Sequence, residues 1–320
     1  MEERLLALLR LAIKYNASDI HFTLHYQEMS IEMRIDGIFR KVKTKFDDYK
    51  LIRYLQYLSN LDVGNMLHPQ SGQFSLDVDG QNLSLRFSII NNINFSNGVL
   101  RILNSELKID ADHLSNIDYQ NIYFKSLMKR RNGLVLFTGP TGSGKTTTLY
   151  NLLKCAKGRK IFTIEDPIEV YNDLFVQLQV NEEAGFTYGE GIKQILRHDP
   201  DIIMIGEIRD EKAAKGAITA ANTGHLVLST LHSSFAYSAI SRLVDLGANE
   251  NELFENLICI ANQRLLVNTK DKHKQVVYEI MDKNELAYFR KNRINSKDFL
   301  SIEKQIQKGI NDGIYEKDSI

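Results

Sequence analysis

The sequence has no tryptophan, two cysteines and four prolines among its 320 residues. Cys155 and Cys259 are far apart and neither belongs to a Cys-x-x-Cys pair, which argues against a disulfide framework or a structural zinc site and fits a reducing cytosol. Basic and acidic residues number 40 each, so the formal net charge is zero. A strongly basic nucleic-acid-binding protein would show a different balance. We therefore expect no direct nucleic-acid partner.

Long apolar runs are also missing. No segment approaches the ~18 consecutive apolar residues that span a bilayer. The chain opens MEERLLALLRLAI, and its acidic flank and Arg10 argue against a signal peptide. We expect a cytoplasmic protein, of two domains by its length, that reaches a membrane only through a partner.

Residues 1–105 have the pattern of a small α+β domain. Apolar residues recur at helix spacing over 2–15, and a second helix is predicted at Lys50–Leu58. Asp79-Gly80 lies between two alternating segments and predicts a hairpin. The predicted strands are Ile20–Leu24, Ile31–Ile35, Gln73–Val78, Leu83–Ile89 and Val99–Leu103. Residues 106–118 are polar without a clear period and predict a linker.

From residue 119 onward, predicted strands alternate with helices. These strands are Leu134–Thr138, Lys160–Ile164, Phe175–Val180, Asp201–Ile205 and Leu226–Thr230. Such alternation favours a largely parallel sheet with helices packed on it. We therefore predict an α/β fold in which a small α+β domain precedes a larger domain over 119–320, built on a mostly parallel sheet.

Residues 139–146, Gly-Pro-Thr-Gly-Ser-Gly-Lys-Thr, match the phosphate-loop pattern G-x-x-x-x-G-K-[ST], between an apolar strand and a helix. Its glycines let the backbone approach phosphate oxygens, and its amides form an anion nest. Lys145 would supply charge to the β and γ phosphates, and the Thr146 hydroxyl would ligate Mg²⁺. The sequence therefore predicts an ATP·Mg²⁺ site. Its loop residues are Gly139, Pro140, Thr141, Gly142, Ser143, Gly144, Lys145, Thr146 and Thr147.

Two further apolar strands end in acids. The segment 201–207 ends in Glu207, the layout of a Walker B motif with glutamate in place of aspartate. Such an acid holds the water shell of Mg²⁺ or polarises the attacking water. Glu165 ends the strand before Pro167 and is a candidate general base. The sequence does not rank the two glutamates for that task.

His225 and His232 bracket the apolar segment HLVLSTLH. A strand of that length spans roughly 20 Å at ~3.3 Å per residue, so the two histidines cannot share a metal ion, and no zinc is expected. Contacts to a γ-phosphate or to an interdomain surface stay open. The four arginines that could neutralise charge in phosphoryl transfer are Arg34, Arg86 and Arg101 in the first domain, and Arg209 after Glu207.

Together these residues resemble the type II secretion / type IV pilus ATPase family. The motifs stand in that family's order: GPTGSGKTTTLY (139–150), the Asp box TIEDPIE (163–169), the Walker B segment DPDIIMIGEIRD (199–210) and the His box TGHLVLSTLH (223–232). The matching segments of the first domain are ASDIHF (17–22), RIDG (34–37), PQSGQF (69–74), RFS (86–88) and VLRIL (99–103).

The resemblance implies a homo-hexameric ATPase at the inner face of the cell membrane. It also implies a RecA-like P-loop NTPase core over 119–320 with a helical C-terminal part, preceded by a PAS-like α+β domain. The nucleotide would lie between the two domains of one subunit, with Arg34, Arg86 and Arg101 completing the site. Glu165 would be the Asp-box glutamate, Glu207 the Walker B glutamate, and His225 and His232 the His-box pair. Hydrolysis would drive a polytopic inner-membrane platform protein and, indirectly, pilin-like subunits.

Two departures from the family pattern indicate which subfamily the chain resembles. Residues 263–282 contain no cysteine, where many assembly ATPases carry a tetracysteine insertion, and no AIRNLIRE-like segment of retraction ATPases is present. A short chain without this cysteine insertion resembles the competence pseudopilus assembly motors of Gram-positive bacteria, which serve DNA uptake. The alternatives are a conjugation-type (type IV) secretion ATPase, a retraction ATPase, a nucleic-acid motor and a scaffold that binds ATP without hydrolysis.

We predict that Lys145→Ala abolishes ATP hydrolysis without unfolding the chain, because it removes the charge directed at the phosphates. Turnover with Mg·ATP and a folding measurement on the same preparation check this. Near wild-type turnover in a clean preparation would show that the site assignment is wrong.

Overall fold

A computed structural model describes residues 1–26, 28–35, 37–64, 68–92, 95–103, 114–115, 117–182, 184–270 and 274–315. The chain divides into two compact units. Unit 1 consists of Met1–Leu107 and Glu169–Tyr171, and unit 2 of Lys108–Ile168 and Asn172–Ile320. Most of the predicted linker 106–118 lies outside the described residues, as does Asp36 of the Asp-Gly turn.

In the described residues, unit 1 is an antiparallel sheet with two α-helices. Its elements are α1 (Glu2–Lys14), β1 (Asp19–His25), β2 (Glu28–Ile35), β3 (Ile38–Val42), α2 (Lys50–Leu58), β4 (Gln70–Val78), β5 (Gln81–Asn92) and β6 (Phe95–Leu103). The strand order is β3-β2-β1-β6-β5-β4, and every pair is antiparallel.

The sequence pattern accounts for most of unit 1. The apolar stripe of α1 is buried with Ile20 and Phe22 of β1 in one core. Asp79 and Gly80 both have positive φ, 56° and 85°, as a tight hairpin between β4 and β5 requires. The sequence analysis missed β3, because this edge strand is mostly exposed and shows no alternation of apolar and polar residues.

Unit 2 is built on a mostly parallel sheet. Its elements are α3 (Asp118–Leu127), β7 (Gly133–Thr138), α4 (Lys145–Cys155), β8 (Ile161–Glu165), β9 (Val176–Gln179), α5 (Tyr188–Ile195), β10 (Ile202–Ile205), α6 (Glu211–Asn222), β11 (Leu226–Leu231), α7 (Ser238–Asp245), α8 (Glu250–Asn256), β12 (Leu257–Val267), β13 (Lys274–Asp282), α9 (Lys283–Asn292) and α10 (Ile302–Asn311). The order is β13-β12-β7-β11-β10-β8-β9, and among these described strands only the β12–β13 pair is antiparallel.

The central strands of unit 2 are buried on both faces. Every residue of β7, β10 and β11 is buried, as expected for parallel strands covered by helices on both sides. The alanine-rich face of α6 packs into the same core. The predicted α/β class is confirmed. None of the helices described in either unit is long and apolar enough to cross a membrane.

The C-terminal part differs from the expectation. We expected it to be helical, and α9 and α10 are present, but β12 and β13 form a long antiparallel pair that extends the sheet beside β7. The sequence analysis missed this pair because the first seven residues of β12 are all buried. A run buried on both faces lacks the alternation that identifies a strand.

We predict that Leu228→Ala, in the fully buried strand β11, lowers the free energy of unfolding of unit 2 by about 2–5 kcal/mol, because it leaves a cavity. The matched control is Ile122→Ala in α3, where the side chain is 69% exposed and the change should stay within about 0.5 kcal/mol. Urea unfolding followed by circular dichroism measures both. Equal midpoints would contradict the placement of Leu228.

Candidate nucleotide-binding site

Four motifs of unit 2 meet at one edge of its sheet. The strands β7, β11, β10 and β8 are adjacent and parallel, so their carboxyl ends lie side by side. The phosphate loop follows β7, Glu165 is the last residue of β8, Glu207 follows β10, and His232 follows β11. Ligands of parallel α/β sheets bind at this edge. The topology therefore gathers residues that are up to 93 positions apart, from 139 to 232.

The phosphate loop needs glycine for two separate reasons. Gly139, Gly142 and Gly144 have φ of 141°, 78° and 85°, a region that side chains with a Cβ rarely adopt. A Cβ on Gly139 would also lie 2.4 Å from the backbone oxygen of Gln263. Helix α4 begins directly after Gly144, so its free amide groups lie at the loop.

Lys145 folds back onto this loop. Its Nζ donates hydrogen bonds to the carbonyl oxygens of Gly139 at 2.9 Å and Pro140 at 3.0 Å. Thr146 and Thr147 are half-buried in the first turn of α4, whereas Pro140 and Thr141 are exposed. The lysine is thus held against the loop that it was predicted to serve.

The residues present fit a magnesium–triphosphate group. The Ser143 hydroxyl is buried and makes no hydrogen bond to any residue that the structure describes. Amides at a helix start, an ammonium group and a donor hydroxyl suit an anion. Magnesium prefers oxygen ligands, which Thr146 and Glu207 can supply directly or through water.

Glu165 is almost fully buried and held by several donors. The hydroxyl of Tyr150, on α4, lies 2.8 and 2.7 Å from the two carboxylate oxygens, and the Thr163 hydroxyl donates at 2.6 Å. The Gln177 amide reaches the same carboxylate at 3.3 Å and Tyr150 at 2.8 Å. Glu165 is therefore oriented by the helix that carries Lys145. Sequence reasoning gave Tyr150 and Gln177 no role.

Glu207 lies in a different cluster that joins three motifs. Arg209 Nε donates to Glu207 Oε2 at 2.7 Å, and His232 Nε2 lies 3.3 Å from Oε1. Arg209 Nη1 also lies 3.4 Å from Asp166 Oδ2. The hydrogen bond to Glu207 raises the pKa of Arg209, so this guanidinium stays charged beside two acids. The structure thereby brings Glu207, Arg209 and His232 together.

His225, a candidate site residue by its place in the His box, does not lie at this edge, as expected for two histidines that bracket one strand. His225 precedes β11 and so lies at the opposite end of the strand from His232. Its Nδ1 lies 3.1 Å from the Ala220 carbonyl oxygen and 3.1 Å from the Thr223 hydroxyl, at the end of α6. These contacts give His225 a structural place at the C-terminus of a helix.

The three N-terminal arginines form one row across the sheet of unit 1. Asp19 pairs with Arg34 on one side and Arg101 on the other, and Arg101 pairs with Arg86. Directly opposite residues of antiparallel strands lie on the same face. We call Arg34, Arg86 and Arg101 the arginine row. It presents three guanidinium groups on one face with a single acid between them.

Asp19 orients two members of the arginine row. Its Oδ1 accepts from Arg101 Nε at 2.8 Å, and its Oδ2 lies 3.8 Å from Arg34 Nε. Asp19 is buried, whereas the side chains of Arg34 and Arg101 are 40% and 60% exposed. The two guanidinium groups are thus anchored at the sheet with their outer edges in solvent. Sequence reasoning passed over Asp19 although it lies within ASDIHF.

Strand β12 adds polar residues beside the loop that sequence reasoning also missed. Asn262 donates to the Thr138 hydroxyl at 2.8 Å, where β7 ends. Arg264 donates to Asn262 Oδ1 at 2.9 Å and to the Ser234 carbonyl at 2.8 Å. Burial lowers the pKa of Arg264. The available signal was the polar run Asn-Gln-Arg inside an otherwise apolar strand.

A glycine loop that joins a buried strand of a mostly parallel sheet to a helix defines the class of P-loop nucleotide-binding proteins. Within that class the chain belongs to the family described as type II/IV secretion system protein, whose model matches residues 1–312.

Curated relatives include competence and secretion proteins. The chain is 43% identical over 255 residues to the competence protein ComGA of Bacillus subtilis, an alignment that covers 78% of this chain and 72% of that protein. It is 38% identical over 265 residues to the type II secretion system protein E of Pseudomonas aeruginosa, covering 81% of this chain and 53% of that protein. The chain therefore spans about half the length of that secretion protein.

Solved structures agree on the fold. The pilus retraction motor PilT with bound ADP has a TM-score of 0.76 and 28% identity, covering 98% of this chain and 95% of PilT. The ATPase DotB of Legionella pneumophila has a TM-score of 0.74 at 21% identity, covering 98% of this chain and 92% of that one. The latter likeness shows the fold alone.

We predict that Asp19→Asn destabilises unit 1 by about 1 kcal/mol at pH 7 and by less at pH 3, a gap that urea unfolding measures. Burial raises the pKa of Asp19, but hydrogen bonds from Arg101 and Ser18 outweigh it, so this pKa lies below its ordinary value. A lowered folded-state pKa means that ionised Asp19 stabilises the fold above the unfolded pKa of about 3.9. That stabilisation is lost as pH falls through the folded pKa.

The control for this prediction is Asp47→Asn, which removes an exposed ion pair with Lys50 and should cost no more than about 0.5 kcal/mol. A gap between wild type and Asp19→Asn that stays constant from pH 7 to pH 3 would contradict the ion-paired state of Asp19.

Proposed function

We propose that the chain hydrolyses ATP and uses the energy to assemble a pilus-like fibre. One observation carries the proposal: the topology of unit 2 places the phosphate loop, Glu165 and Glu207 at the same sheet edge. Phosphoryl transfer needs an anion cradle, a magnesium ligand and a group that positions water, and little covalent chemistry beyond them. All three parts are available there.

The loop amides and Lys145 would bind the phosphates. The Thr146 hydroxyl and the Glu207 carboxylate would hold Mg²⁺, which supplies charge neutralisation when bound. Glu165, oriented by Tyr150 and Thr163, and Glu207 are the two candidates for positioning water. Arg209 donates to Glu207 at 2.7 Å and so helps to orient its carboxylate.

The arginine row belongs to the same proposal. Three guanidinium groups in a row with one carboxylate leave an excess of positive charge along that row. Arginine binds phosphate through a planar fork and stays charged at any physiological pH. We propose that the row neutralises charge on the nucleotide phosphates, as the family resemblance implies for first-domain arginines.

The relatives favour a particular machine. The Bacillus subtilis competence protein and the Pseudomonas aeruginosa secretion protein are 43% and 38% identical to the chain. A ComGA protein of Halalkalibacterium halodurans is 40% identical over 266 residues. We propose a hexameric motor at the inner face of the cell membrane that acts through a polytopic platform protein on pilin-like subunits, in assembly of a competence pseudopilus for DNA uptake. A retraction motor is the second candidate, since PilT is 28% identical.

We predict that Glu207→Gln lowers Mg·ATP turnover of the purified chain by about 100-fold or more while nucleotide binding persists, because it removes an acid but keeps the side-chain volume. In cells, replacing the native gene by this variant should abolish the pseudopilus and DNA uptake. Phosphate release and transformation frequency measure the two effects.

Glu211→Gln is the matched control, since Glu211 is exposed on α6 and pairs only with Lys215 among the described residues. It should leave both readouts unchanged. More and longer fibres in Glu207→Gln cells would instead identify a retraction motor. Unchanged turnover would rule out a catalytic role of Glu207.

A further inference from the structure

Gln263 of β12 reaches the phosphate loop with its side chain. It is fully buried, and its Nε2 donates to the Ser143 carbonyl oxygen at 2.6 Å. Its Oε1 accepts from the Thr148 hydroxyl, on the first turn and a half of α4, at 3.1 Å. One amide group therefore ties β12 both to the loop and to the helix that follows it.

The packing around Gln263 leaves the loop no room to move toward β12. A Cβ on Gly139 would lie 2.4 Å from the Gln263 backbone oxygen, and one on Gly144 would lie 3.0 Å from Gln263 Nε2. The first and last glycines of the loop thus both lie against the same residue. Contacts this close define where the loop backbone lies relative to β12.

The Ser143 hydrogen bond has a consequence for the next amide. A trans peptide unit is planar, and its C=O and N–H groups point in opposite directions. Because the Ser143 carbonyl points at Gln263, the Gly144 N–H in the same peptide unit points away from β12. That amide is one of the loop groups that binds phosphate in a P-loop.

We propose that Gln263 is a positioning residue of the nucleotide site. It holds the Ser143–Gly144 peptide in the orientation that presents the Gly144 amide to phosphate, and it acts through the loop without touching the nucleotide. The inference rests on the proposed function, because it presumes that the loop binds a phosphate group. The buried polar residues of β12 would then position the phosphate loop in addition to packing in the core.

If Gln263 only stabilised the fold, removing a different hydrogen bond of the same network would have the same effect on nucleotide binding. Tyr278 of β13 also shares a hydrogen bond with Thr148, at 3.0 Å, and is equally buried. Among the described residues the Tyr278 hydroxyl bonds to Thr148 and to no loop carbonyl. Tyr278→Phe therefore removes a buried hydrogen bond of the same network while the Gln263–Ser143 bond persists. This variant is the matched control for Gln263.

The test compares Gln263→Met, Gln263→Glu and Tyr278→Phe in the full chain. Methionine keeps the length of the side chain without either hydrogen bond, and glutamate keeps an acceptor for Thr148 but loses the donor to Ser143. Calorimetric titration with Mg·ADP gives the dissociation constant, and thermal unfolding without nucleotide gives stability. We expect both Gln263 variants to weaken Mg·ADP binding by about tenfold or more, and Tyr278→Phe to change it by less than about twofold.

Each outcome decides the matter. The proposal is supported if affinity falls only in the Gln263 variants, even where all three variants lose similar thermal stability. It is overturned if either Gln263 variant folds and binds Mg·ADP like wild type, or if Tyr278→Phe loses as much affinity. If the wild-type chain binds no Mg·ADP, the proposed ATPase function itself is wrong. If the wild-type chain and all variants bind Mg·ADP equally well, only the role of Gln263 is wrong.

Discussion

The site of this protein depends on a backbone that turns where no Cβ can be accommodated. Gly139 occupies a left-handed conformation against the backbone of Gln263, and Gly144 ends the loop where α4 begins. Any side chain at Gly139 would displace β12 or the loop. That turn sets where α4 begins. It therefore determines the position of Lys145, the direction of the first helix amides and the approach of Tyr150 to Glu165.

The two glutamates at the sheet edge of unit 2 have different surroundings. Glu165 is buried and receives hydrogen bonds from hydroxyl and amide groups, whereas Glu207 is more exposed and lies beside Arg209 and His232. A carboxylate that is buried must find donors, or its desolvation costs several kcal/mol. The two acids at this sheet edge therefore differ both in their exposure and in the groups that hold them.

In unit 1, a buried carboxylate is likewise held by donors, and here the donors are partly exposed arginines. One buried carboxylate, Asp19, anchors the guanidinium groups of Arg34 and Arg101 and leaves them partly in solvent. Arginines held at one end lose less side-chain entropy when they bind an anion. The register of the strands places Asp19 opposite both arginines. Residues that are far apart in the sequence therefore lie side by side across the sheet.

Local patterns in the sequence were enough to determine the phosphate loop, the α/β class, the hairpin at Asp79-Gly80 and the strands that end in Glu165 and Glu207, because turns, glycine loops and parallel strands have short-range signatures. Only the tertiary structure decided that His232 meets Glu207, that Tyr150 holds Glu165, and that Gln263 lies against the loop. Gln263 is 120 positions from Ser143, and no local pattern encodes a contact that depends on which strand of the sheet lies next to which.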